Sequence, residues 1–190
     1  MRPLALAAIV LVLLSVHAVP PAAASPEQLP EERIEARYRA YLCYSLGRLM
    51  EFDGHLADAL VQYRRAASFD PENCDPGVAS ARVLLAMGRL DEALTEVAVA
   101  RGVCPDSPEA IALHARILMG QEKFGEVQEL LGRAETGVVP RELTFLAAQA
   151  LVQEGRFAEA ESLYRRRAAA DSLDPGIAVD HARTLLLLER

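Results

Sequence analysis

The sequence predicts an all-α fold built from a stacked helical repeat, and three observations carry the prediction. Leu and Ala dominate, whereas Val and Ile are too scarce to build a large sheet. Small residues recur at Gly47, Ala81, Ala115, Ala148 and Ala182, with steps of 34, 34, 33 and 34 residues. Helix-stopping glycines and prolines fall at matching places between them. A fixed period of this length marks a helix pair that cannot bury its apolar face alone and stacks on its neighbours. The 190 residues, 52% hydrophobic and 25% charged, suffice for one ordinary globular domain.

The chain opens on a segment unlike the rest. In residues 1–24 the only charge is Arg2, residues 4–16 form an apolar run, and Pro20-Pro21 precede Ala22-Ala23-Ala24. This reads as a secretory signal peptide with small residues at its cleavage site. An uncleaved anchor is the competing reading, but this run of 13 residues, apolar except for Ser15, makes only about 20 Å of helix against a hydrocarbon core of roughly 30 Å. Cleavage is expected after Ala24, with Ala18 as the alternative. The processed chain would be exported, periplasmic or secreted, with no stable membrane span. Residues 25–39 read as a leader followed, from about residue 31, by an extension of the first helix.

Four units follow, at 40–73, 74–107, 108–140 and 141–174, and residues 175–190 form a half-repeat helix. Each unit has a small residue midway along a first helix, where a second helix must approach closely, and another in the second helix: Ala59 and Ala66, then Ala93 and Ala100, then Ala134, then Ala160. Aromatic and aliphatic residues such as Tyr63, Val97, Leu131 and Tyr164 fill the contact stripe. Gly88-Arg89-Leu90-Asp91-Glu92-Ala93 and Gly155-Arg156-Phe157-Ala158-Glu159-Ala160 mark turns between helices, where a glycine ends one helix and acids enter the first turn of the next. Pro71 and Pro105 stop second helices, because proline cannot continue the hydrogen-bond ladder.

Leu46-Gly47, Ala59, Tyr63 and Pro71 resemble the tetratricopeptide repeat, whose pattern is W-x2-L-G-x2-Y, then A-x3-F, then P. Cys43 and Gly77 depart from it where the family favours Trp, and Arg167 where it favours a small residue. The resemblance implies a right-handed α-solenoid of about four tetratricopeptide helix-turn-helix repeats plus a C-terminal half repeat. In that family the first helices line a concave groove that contacts extended peptides.

Arg48, Arg82, Arg116 and Arg183 each follow the small residue of a first helix by one position, and Gln149 takes the remaining place. By resemblance these arginines form a ladder in the groove facing acidic groups or a C-terminal carboxylate, with Tyr44 and Phe145 as apolar neighbours one turn earlier. The competing reading is intramolecular, with Asp75, Glu109 and Glu142 neutralising the arginines. The lysine and asparagine clamp of chaperone-binding members is not reproduced.

Little else offers chemistry. No G-x-S-x-G, H-E-x-x-H, C-x-x-C or glycine-rich phosphate loop occurs. His114 and His181 fall two units apart, so a shared metal site is not expected, and both read as polar residues on helix surfaces. The 20 basic residues, all Arg except Lys123, face 27 acids for a net charge of -7, which argues against a nucleic-acid partner. Neither a catalytic residue nor a cofactor nor a metal is expected. In an exported chain three cysteines raise the question of pairing, three free thiols being the alternative to a bridge. Cys74 starts the first helix of the second unit and Cys104 ends its second helix, neighbouring ends of an antiparallel pair, so these two are expected to bridge. Cys43 reads as a small apolar core residue.

The sequence-level expectation is therefore an exported, non-enzymatic protein- or peptide-binding scaffold, active in assembly of a cell-envelope complex, with an acidic or extended partner segment. The alternative is a structural subunit that forms a homodimer through its apolar last helix, at Leu185, Leu186, Leu187 and Leu188.

Overall fold

The computed structural model describes residues 31–134, 141–170 and 175–188. The expected signal peptide, both of its expected cleavage sites and the expected leader through residue 30 lie outside the described residues. The chain divides into two units, Met1–Ile34 and Glu35–Arg190. The second unit carries the fold.

Among the described residues there are nine helices and no strand. They are α1 Glu31–Phe52, α2 Leu56–Phe69, α3 Asp75–Ala86, α4 Leu90–Val103, α5 Pro108–Gly120, α6 Phe124–Ala134, α7 Arg141–Gln153, α8 Phe157–Ala170 and α9 Pro175–Leu188. From α2 to α9 each helix packs against its successor, and α3, α5, α7 and α9 also touch one another in series. None of the described helices is long and apolar enough to cross a membrane.

Local chemistry places the breaks. α2 and α4 end at Phe69 and Val103, two residues before Pro71 and Pro105. Ser107 starts α5 by accepting a hydrogen bond from the Ala110 N–H at 3.3 Å, and Pro108 follows it at a position where its missing N–H costs nothing. The turns within units need one left-handed residue each. Gly54, Gly88 and Gly155 take it at φ of 82°, 75° and 73°, and in the third unit a non-glycine residue, Glu122, takes it at φ 58°.

The core forms two clusters that meet in α5. Ala110, Leu113 and Ile117 join the side containing Tyr63, Leu84 and Val97, while Ile111, Ala115 and Leu118 join the side containing Leu143, Leu151 and Tyr164. A helix buried on two faces joins the units into one stack. α9 keeps the register of α7, burying Ile177 and Thr184 as α7 buries Leu143 and Ala150. Ala182 and Leu185, which correspond to buried Ala148 and Leu151, are exposed. The side of α9 that other first helices give to a second helix is thus open.

Cys74 and Cys104 are disulfide-bonded, with Cα atoms 5.9 Å apart, across the ends of the α3/α4 hairpin. Cys43 is a free thiol and only half-buried, so it is less of a core residue than its place in the pattern predicts. Because α1 has Tyr63 against Gly47, its neighbouring positions lie at the margin of the contact.

Two stability measurements follow. The bridge closes a loop spanning a sequence separation of 30 residues, so replacing both cysteines with Ser should lower the unfolding free energy by about 3–4 kcal/mol on the chain-entropy account. Urea unfolding of the oxidised parent and the variant measures the difference. Conversely, Glu122→Gly relieves a left-handed backbone that a side chain disfavours, and should raise stability by about 1 kcal/mol in the same assay.

Candidate functional site

Tyr63 is fully buried, and its ring lies so close to Gly47 that a Cβ there would meet it at 2.8 Å. A buried phenol needs a hydrogen-bond partner. Its hydroxyl donates to Glu51 of α1, and Tyr44 tilts against its ring at a centroid distance of 5.5 Å. Glu51 in turn receives a two-point contact from Arg82 of α3, Nε to Oε1 at 3.1 Å and Nη2 to Oε2 at 3.1 Å. Arg82 also reaches Glu109 of α5 at 3.3 Å. Three first helices are thereby tied by one guanidinium.

The electrostatics of this knot are mutual. Burial by itself raises the Glu51 carboxyl, but the hydrogen bonds from Arg82 and Tyr63 and the charge of Arg82 outweigh it and hold the group below the usual carboxylate range. Burial and the Glu51 contact push the Tyr63 phenol upward. The Glu51 hydrogen bond likewise raises Arg82, against its partial desolvation.

The other arginines of the series are less tightly held. Arg116 pairs with Glu142 at 3.7 Å, both side chains being about half exposed. Arg183 places its guanidinium 5.5 Å from the centroid of Phe145, a cation–π contact between α9 and α7. Arg48 is exposed and forms no ion pair among the described residues; it lines an open depression of about 330 Å³ with Glu51, Phe52 and Arg82. Gln149 is half-buried on α7. Glu109 and Glu142 thus act as internal partners of Arg82 and Arg116, whereas no ion pair joins Asp75 to an arginine among the described residues. Glu51 escaped the sequence reading. Its signal was an acid four residues after the small residue, where the other units have Leu85, Met119 and Val152.

The two histidines are not simple surface groups. His114 is half-buried and its Nδ1 lies 2.9 Å from a guanidinium nitrogen of Arg101, which donates to the neutral ring. Burial and then the Arg101 charge lower its pKa to about 4. His181 stacks on Tyr164 at 5.0 Å, and the Tyr164 hydroxyl shares a hydrogen bond of 2.9 Å with Thr184. Both imidazoles are packed between helices because each stands one residue before the small residue of its first helix, toward the neighbouring unit. Among the described residues no group of three or more His, Cys, Asp or Glu side chains is gathered to hold a metal.

Helix pairs at a constant period, stacked through shared first helices, define an α-helical repeat scaffold. Residues 53–117 match the tetratricopeptide repeat family, and the described residues have the all-α helical repeat fold of tetratricopeptide repeat proteins. Its fold is similar to that of pilF from Pseudomonas aeruginosa, with a TM-score of 0.64 at 20% identity over 83% of this chain and 71% of that one. A thermophilic repeat protein of this kind from Thermus thermophilus, TTC0263, gives 0.60 at 18% identity over 78% and 82%. YrrB, described as having an unusual peptide-binding site, gives 0.58 at 19% identity over 82% and 81%. No curated protein sequence matches the chain. The fold is typically a non-catalytic scaffold for protein–protein interaction.

The His114 environment sets a pH dependence. Its pKa is about 4 in the folded chain against 6.5 ordinarily, so below pH 6.5 the unfolded chain takes up a proton that the folded chain refuses. Stability contributed by the neutral ring is therefore present above pH 6.5 and is lost as pH falls toward 4. For a half-buried group this amounts to about 1–2 kcal/mol. His114→Gln should flatten that part of the stability–pH profile, as read by urea midpoints at pH 7.5 and 4.5.

Proposed function

We propose that the chain is an exported scaffold that binds an extended, acidic protein segment along its first helices and serves in assembly of a cell-envelope complex. The observation that supports this reading most is the uneven pairing along the arginine series. Arg82 is committed to Glu51 and Glu109, but the Arg116–Glu142 pair is long and half-exposed, and pairs of that kind contribute only about 0–1 kcal/mol. A ligand carboxylate can replace Glu142 at little cost and gain a two-point contact. Gln149 and the Arg183-capped ring of Phe145 lie on the adjoining first helices and extend the same row. Peptide binding by YrrB, a structural neighbour, is in keeping with such a site. Export rests on the character of residues 1–24.

A second reading, in which the chain self-associates through its last helix, draws on the exposure of Leu185 and Leu186 at 43% and 64%. Native mass separates the two, because a constitutive dimer lost on Leu185→Glu favours the second.

The test uses the full chain as bait in an envelope extract, followed by titration of the captured partner. Replacing Arg116 and Arg183 together with Gln should weaken binding by about tenfold or more and flatten its salt dependence. Equal binding by the parent and the double variant, with equal salt dependence, rejects the acidic-partner reading.

A further inference from the structure

α1 has two apolar faces. One packs inward through Ala40 and Gly47. The opposite one exposes Tyr38, Tyr41, Leu42, Leu46, Leu49 and Phe52, at 61%, 67%, 48%, 42%, 57% and 88%. Ends of helical repeats ordinarily turn polar faces outward, since nothing stacks beyond them. This end does not.

The outward face has a seam. Tyr38, Leu42, Ser45, Leu49 and Phe52 succeed one another by 4, 3, 4 and 3 residues, the spacing that keeps one stripe of a helix against a second helix. Ser45, exposed at the middle of the seam, is small enough to let two backbones approach. We propose that this face pairs with the same face of a second copy of the chain, the two α1 helices running parallel about a two-fold axis.

Area and charge together select that occupant. The six side chains expose roughly 800 Å², about the contribution per partner of a specific interface. Among the described residues, α9 exposes Val179, Leu185 and Leu186 as large apolar side chains, a smaller set than the six of α1. A second α1 matches it by symmetry. In the parallel register Tyr41 flanks the partner's Leu46, and Arg48 flanks the partner's Asp53. Arg48 and Asp53 are both exposed; Arg48 acts on Glu51 of its own helix only through its charge, without an ion pair among the described residues. The antiparallel register that sets Leu42 against Ser45 places Arg48 beside the partner's Tyr41 and Arg39 beside the partner's Leu46, and so forms no Arg48–Asp53 pair. The inward face lies across the helix from the seam, so the two bodies project away from each other without collision.

The proposal goes beyond the groove reading and does not rest on it. Sedimentation equilibrium on the full chain, purified as it accumulates in the expression host, should give twice the chain mass at micromolar concentration. Leu42→Glu with Leu49→Glu should weaken self-association at least about a hundredfold while leaving the far-UV circular dichroism and the melting curve of the monomer intact, and Leu185→Glu should leave the dimer unchanged. In a Cys43→Ser background, Ser45→Cys should form an interchain disulfide on mild oxidation, because the parallel register sets residue 45 against itself. A monomer at all concentrations overturns the proposal, whether the face is bare or covered by residues 1–30. So does a dimer lost on Leu185→Glu but kept in the Leu42/Leu49 variant, or a dimer without the Ser45→Cys cross-link. Binding of an acidic partner by the Arg116 and Arg183 row is read separately, so either idea can fail alone.

Discussion

Close approach of two helices at one small residue is the constraint on which each unit depends. Gly47, Ala81, Ala115 and Ala148 are buried, and the residues 16 positions later, Tyr63, Val97, Leu131 and Tyr164, are buried as well. A larger residue on the first helix would hold the second away and open a void along the whole hairpin, because interiors at crystal-like density transmit such a mismatch. The period of the sequence is the repetition of this one contact. What the units cannot bury alone they bury in one another, which is why α5 has core on two faces.

The polar interactions follow from which residue fills the contact. Val97 and Leu131 ask nothing of their surroundings. Tyr63 and Tyr164 bring hydroxyls into the interior, and each is answered differently: Tyr63 by Glu51 on its own hairpin, Tyr164 by Thr184 on the next helix. Glu51 then carries a charge that requires a cation, and Arg82 supplies it from the following unit. An apparent ligand-binding arginine is in this way partly explained by a tyrosine 19 residues before it. Breaking that chain at Glu51 would leave both a half-buried guanidinium and a buried phenol short of a partner, so the knot is costlier to disturb than any of its single pairs.

The all-α repeat was legible because its signals are local or strictly periodic: the small residues, the turn glycines and the prolines just after α2 and α4. The Cys74–Cys104 pairing was legible for the same reason, since an antiparallel hairpin has only one way to bring its ends together. Side-chain partners across units were not. Glu109 and Glu142 could be named from recurrence, but Glu51 breaks the apolar pattern of its position, and its partner lies 31 residues away. His114 and His181 were misread as surface residues because their burial comes from neighbouring units, which residue type does not report. Glu122 is the reverse case: the turn kept its backbone although the glycine that normally permits it is missing, so packing on both sides overrides the local preference.

The two ends of the stack face the same problem with opposite means. At α9 the face that would take a second helix is open, yet the helix is fixed from within: Asp180 is buried and meets Arg141 at 3.0 Å, Thr184 holds Tyr164, and His181 lies on the Tyr164 ring. Polar contacts of defined direction lock its register, with Val179, Leu185 and Leu186 exposed beside them. At α1 the inward contact is a glycine under an aromatic ring, narrow and directional, and the apolar area stands on the outside in a 3.5-residue spacing. A contiguous apolar face of this size on a helix marks a surface suited to a partner. Among the described residues the stack is therefore asymmetric in its side chains: α9 is secured by polar contacts, and α1 presents the apolar face that the proposed pairing uses.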